Sequence, residues 1–203
     1  MKKVTLAIIL LCCTLSLAAQ NAIRVNYKSE KPSISDFAWA YLSIEDDEEE
    51  CCVDESTNAL KQAWIRHRKG LPQQKNEKLT IDNKNGYILY ESRYEGHVQK
   101  IEMCYWNEAD GKHKLFAYNV GCYQNGTYSP GQFDGLTFYR YNNATKQMTP
   151  CGDVGFEVAY GTDDGAYVSY SLPQTGKNIV QTTWYKTGKK QDILKWNGRK
   201  FAK

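Results

Sequence analysis

The sequence predicts an α+β fold: an N-terminal helical hairpin packed on a large antiparallel β-meander sheet. Three observations carry this reading. Apolar residues recur at helical spacing twice between residues 33 and 69. From residue 79 onward the chain switches to period-two alternation, rich in tyrosine and broken by Gly, Asn and Asp turns. The turn count gives about eight to ten strands. A mainly-β two-layer sandwich or a partly open barrel satisfies the same pattern and stands as the alternative.

The first residues read as a leader. Met1-Lys2-Lys3 is a short basic start, residues 6–17 are apolar, and Ala18-Ala19 precedes polar Gln20. This is the pattern of a secretory signal peptide, too short to span a bilayer. Residues 1–19 are therefore assigned to the signal peptide and 20–203 to a single domain of 184 residues, enough for an adequate core. Cys12 and Cys13 raise a lipoprotein alternative, which is disfavoured because Leu11 rather than a small residue precedes Cys12. No later segment reaches the length of a transmembrane helix.

The first helix is expected over residues 33–44. Pro32 and Ser33 announce it, with Asp36 completing a capping box. Ile34, Phe37, Ala38, Tyr41 and Leu42 then fall on one face. Glu45 to Glu50 are six consecutive acids, read as a solvated loop rather than a Ca²⁺ site because they lack the spacing and glycine of an EF-hand. The second helix is expected over residues 55–69. Asp54, Glu55 and Ser56 lie at its start, Arg66, Arg68 and Lys69 at its end, and Gly70 stops it. Ala59, Leu60, Ala63, Trp64 and His67 share its apolar face.

Residues 79–203 are the predicted meander. Leu79-Thr80-Ile81 is a short strand. Gly86 to Tyr123 reads as two long strands joined by a tight turn at Asp110-Gly111. Within it Glu102, Cys104 and Trp106 point one way, Ile101, Met103 and Tyr105 the other. Residues 121–132 hold three glycines, Ser129-Pro130 and Asn125, and are expected to form a long loop. Strands follow at 135–141, from Gln147, and at 166–172, 178–185 and 191–196, with a last turn at Asn197-Gly198.

Charge is divided unevenly. Residues 20–55 carry three bases against ten acids, a net of −7, whereas residues 56–203 carry 21 bases against 13 acids, a net of +8. The simplest expectation is an acidic segment lying on a basic sheet surface. The bases are scattered, which argues against a nucleic-acid partner. Cleavage leaves Cys51, Cys52, Cys104, Cys122 and Cys151, an odd number, so one is available for weak self-association through an unpaired thiol. If Asp110-Gly111 is the turn, Cys104 faces Ala117. Cys122 then lies ~17 Å further along at ~3.4 Å per residue, so a Cys104–Cys122 disulfide needs another turn register or a different strand neighbour.

Leu17-Ala18-Ala19-Gln20 and Leu194-Lys195-Trp196-Asn197-Gly198-Arg199-Lys200-Phe201 resemble the ends of small exported proteins of unassigned function found in Bacteroides-type bacteria. The resemblance implies a periplasmic or extracellular location and brings no catalytic residues with it.

The tempting motifs fail on context. Leu172-Pro173-Gln174-Thr175-Gly176 spells a sortase signal but lacks the apolar segment that must follow, and reads as a turn. His67, His97 and His113 lack metal-ligand spacing to one another, and no cofactor motif is present, so metal and cofactor are both expected to be absent. No catalytic residue is assigned. A Cys104–His113 pair has no orienting partner. Asp153, Asp163 and Asp164 are turn formers first, and carry the alternative of a carboxylate-dependent hydrolase. The aromatic content favours instead a non-enzymatic binding protein that recognises an envelope protein or glycan. Its candidate ligand-binding residues are Tyr123, Tyr128 and Phe133 in the glycine-rich stretch, with Trp184 and Trp196 beside it. A structural subunit of a cell-envelope assembly is the third reading.

Overall fold

The computed structural model describes residues 22–44 and 55–203, the side chains of Glu55 and Ser56 excepted. The leader, the acidic run 45–50, Asp54, Cys51 and Cys52 lie outside the described residues. The described residues are mostly antiparallel β-structure with two helices, α1 (Ile34–Leu42) and α2 (Glu55–Arg68). Among the described residues no helix is long and apolar enough to cross a membrane.

The strands form two sheets rather than the single meander the sequence predicts. The larger contains β1 (Ile23–Arg24), β2 (Glu77–Asp82), β3 (Tyr87–Tyr94), β4 (His97–Asn107), β5 (His113–Gln124), β6 (Thr127–Tyr128), β7 (Gly135–Asn142) and β8 (Gln147–Pro150). Its order is β1-β8-β7-β5-β4-β3-β2, with β6 folded back on β5. The smaller contains β9 (Tyr167–Ser171), β10 (Ile179–Tyr185), β11 (Gly188–Trp196) and β12 (Phe201–Ala202), in the order β12-β11-β10-β9. The irregular stretch between Pro150 and Tyr167 carries the chain from one sheet to the other, and it explains the split: both halves obey the same period-two grammar, but no hairpin turn joins them.

Strand alternation divides the large sheet into two buried faces. One face carries Ile88, Ile101, Met103, Phe116 and Tyr141, and the helices cover it through Ile34, Phe37, Ala38, Leu60 and Trp64. The other carries Tyr87, Cys104, Trp106, Leu115 and Phe138, and packs on Val168, Tyr170 and Leu194 of the small sheet and on Leu172, just after β9. Val154 and Phe156 from the irregular stretch fill the same layer. The predicted opposition of Met103 to Cys104 and Trp106 thus separates two cores.

Helix α1 begins as expected. Ser33 Oγ accepts from Asp36 N, and Asp36 Oδ2 accepts from Ser33 N at 2.8 Å. Gly70 terminates the turn after helix α2, its φ of 67° allowing Leu71 N to donate to Arg66 O at 3.0 Å. His67, expected on the apolar face, is exposed. It lies in the last turn, where the chain leaves the sheet.

Three strands, not two, occupy residues 87–124. The additional turn is Glu95-Gly96, with φ of 45° and 82°, the two-residue geometry that matches strand twist. The Asp110-Gly111 expectation holds in register: Cys104 is the partner of Ala117, and Cys122 pairs instead with Gln99. Cys104 is a buried free thiol. Residues 121–132 are less of a loop than expected. Gly121 to Gln124 continue β5, Asn125-Gly126 turn with φ of 50° and 82°, and β6 returns along β5.

Candidate functional site

The end of β5 and the small sheet meet in an aromatic cluster. Tyr123 and Tyr128 are Cα partners across the β5–β6 hairpin, and their rings lie 5.6 Å apart. Trp184 of β10 closes the group, its ring 6.4 Å from each tyrosine. Its indole Nε1 donates to Ser169 Oγ at 2.8 Å, which fixes the ring's direction. Tyr128 is only 5% exposed. Burial, then the neighbouring carboxylate of Asp134, raises its phenol well above the usual value. Burial likewise pushes Tyr123 up to about 12. Both phenols stay neutral and act as a floor for Trp184.

Register extends this cluster into a surface strip. Trp184 is the Cα partner of Tyr167 on β9 and of Lys189 on β11. Residues directly opposite one another share a face, so the three form a row across the small sheet, on the side away from Val168 and Tyr170. Tyr167 is 51% exposed. Further along the same face Ile193 is 52% exposed. Two ammonium groups flank the rings: Lys189 Nζ lies 5.1 Å from the Trp184 centroid and Lys100 Nζ 5.4 Å from that of Tyr123.

Three of the five sequence candidates, Tyr123, Tyr128 and Trp184, therefore come together. Phe133 is exposed in the loop between β6 and β7. Trp196 lies elsewhere, at the border of the second core, its ring 4.9 Å from Phe201 and 6.0 Å from Trp106. Sequence reasoning missed Tyr167, Lys100 and Lys189. The signal for Tyr167 and Lys189 was the β9–β10–β11 register, which follows once the hairpin turns are placed.

Other chemically capable groups are held by local partners. Glu108, Asp110 and His113 bring their ligand atoms within 4.8 Å of one another, although no motif announced them. Arg140 Nε donates to Glu108 Oε1 at 2.7 Å. Asp110 Oδ2 pairs with His113 Nδ1 at 2.6 Å, and His113 Nε2 faces Asn142 Nδ2 at 3.2 Å. The His113 side chain and the Lys112 amide hold Asp110 down to about 2. These contacts lock the β4–β5 turn.

Asp153, Asp163 and Asp164 are all exposed. Asp153 pairs with Lys200 Nζ at 2.6 Å, and the Thr162 hydroxyl donates to Asp164. Both partners hold their carboxyls below the usual range, the opposite of what a general acid requires. A cleft of about 510 Å³ beside α1 is lined by Trp39, Tyr139 and Asp36, whose carboxylate is committed to the helix cap.

Glu102 is a buried carboxylate on the inter-sheet face. Tyr87 Oη donates to its Oε1 at 2.7 Å, and Asn119 Nδ2 and Leu172 N donate to its Oε2 at 3.0 and 3.3 Å. Desolvation raises its pKa against these stabilising bonds.

No known protein family, curated protein or solved structure matches the chain.

Proposed function

We propose that the protein is an exported, non-enzymatic binding module that recognises an envelope protein or glycan through the Tyr167–Trp184 strip. The supporting observation is the in-register row Tyr167–Trp184–Lys189, which offers an aromatic surface at the protein's exterior on a rigid sheet. Aromatic rings on a fixed frame bind with little ordering cost, and binding sites set on strands are held more firmly than sites on loops. The export signal is the pattern of residues 1–19.

Capture from envelope extract tests this reading. Immobilised wild-type protein should retain a ligand that the Tyr167→Ala variant does not, with both proteins equally folded. Equal capture by the two removes the strip from the function. Tyr128→Ala is not the right control, because that ring is buried and its loss would disturb the scaffold.

A further inference from the structure

Building on the binding reading above, we infer that the strip takes an anionic carbohydrate, with sugar rings against Tyr167 and Trp184 and acidic substituents drawn to Lys189 and Lys100. The charge distribution selects the sign. On the strip's face β9 to β11 contribute Lys189 and Lys195 and no carboxylate, because alternation turns Asp192 to the opposite side. There Lys190 and Lys203 reach it at 3.2 and 3.6 Å. At the other end of the rings Glu91 is shared by Lys100 at 3.7 Å and Arg93 at 3.4 Å, which leaves one positive charge in excess. Asp134, beneath the tyrosines, is taken up by the Cys122 amide at 2.8 Å and by Tyr128.

The side chains of the strip argue for a sugar, and an acidic peptide is the competing outcome of the test. An extended peptide gains affinity mainly by pairing with a free sheet edge. Two edges flank the strip: β11, which pairs with β12 only at Lys195 and Trp196, so that among the described residues no strand pairs with its first part, and β9, where three outward groups are engaged. Val168 N donates to Tyr160 O at 3.0 Å, Tyr170 O accepts from Asn119 Nδ2 at 2.9 Å, and Leu172 N is bonded to Glu102. At the far edge of the large sheet the Gln73 side-chain amide satisfies both the N–H and the C=O of Leu79, at 2.9 and 3.0 Å. The strip's face itself offers side-chain chemistry: the Tyr167 ring, the hydroxyl of Ser171 and the ammonium groups, with the Gln191 amide nitrogen already donating to Thr182 Oγ1 at 3.2 Å. That set matches the apolar faces, hydroxyls and carboxylates or sulfates of an acidic saccharide.

Calorimetric titration of the full chain with three probes tests the inference: an oligogalacturonate, a neutral oligosaccharide of the same length, and a poly-glutamate peptide. The oligogalacturonate should bind tightest, and its affinity should fall severalfold as salt rises from about 50 to about 300 mM. The Lys100→Gln/Lys189→Gln double variant should weaken it about fivefold, as expected for two exposed charges. Tyr167→Ala should remove binding of every saccharide while leaving the circular dichroism spectrum unchanged. If the neutral sugar binds as tightly and ignores both lysines, the anionic assignment is overturned and the wider binding reading stands. Preference for poly-glutamate, insensitive to Tyr167→Ala, overturns the carbohydrate assignment. Failure of all three probes overturns the inference outright, and capture from envelope extract then decides the wider reading separately.

Discussion

The Tyr87 hydroxyl donates a 2.7 Å hydrogen bond to Glu102 Oε1 inside the layer that joins the two sheets. With Asn119 and Leu172 on its second oxygen, Glu102 ties β3, β4 and β5 of the large sheet to the end of β9. A carboxylate desolvated to this degree has its folded pKa raised above the ordinary value. The folded state therefore holds the Glu102 proton more tightly than the unfolded chain does. The contribution to stability is fully present below the unfolded value near ~4.3 and is lost as pH rises through the raised folded value. Glu102→Gln removes that titration. Urea melts at about pH 4, 6 and 8 should show the variant gaining on wild type as pH rises. A difference constant with pH would contradict the desolvated carboxylate.

The helical layer should prove energetically indispensable at Trp64, which is 3% exposed and packed in the first core. Trp64→Ala is expected to cost about 3–5 kcal/mol in denaturant unfolding. A loss below about 1 kcal/mol would mean that α2 does not seal the sheet.

Gly155 marks the closest approach of the irregular stretch to the C-terminal strand. Its φ is 93°, and a β-carbon there would sit 2.2 Å from the backbone oxygen of Phe201. Phe201 N also donates to Val154 O at 2.8 Å, so the two segments cannot separate without breaking a bond. Gly155→Ala should destabilise by at least about 2 kcal/mol, measured as a shifted unfolding midpoint with unchanged slope.

The tyrosine on the strip and the one beneath it should behave oppositely. Tyr128 is buried beneath Trp184, so Tyr128→Ala should lower stability by about 3 kcal/mol. Tyr167 is half-exposed, so Tyr167→Ala should leave the melting midpoint nearly unchanged and affect binding alone. The reverse pattern in thermal melts would place the functional surface at the β5–β6 hairpin instead.

Local chemistry was legible in the sequence wherever one segment sufficed. The Ser33–Asp36 cap, the Gly70 stop and the Cys104–Ala117 register each follow from a few neighbouring residues. Glu95-Gly96 was harder to see, because glutamate is not a usual left-handed residue and the strand pattern runs through it. The division into two sheets was illegible for a different reason: β3 to β5 and β9 to β11 share the same alternation, and nothing local states which strands pair. The site follows suit. Tyr123, Tyr128 and Trp184 were identifiable as aromatic candidates, but their convergence depends on contacts between distant segments. Lys100 and Lys189 gained their place only through that convergence.

The indole resonance of Trp184 provides the most direct test of the strip as a ligand-binding surface. Its Nε1–H is held by Ser169 Oγ, whereas that of Trp106 is buried against Lys177 O, so the two report on different environments. In nuclear magnetic resonance titrations with an envelope carbohydrate fraction, the Trp184 indole signal should shift while the Trp106 signal stays fixed. An unmoved Trp184 signal under saturating ligand that shifts other residues would contradict the assignment of function to this strip.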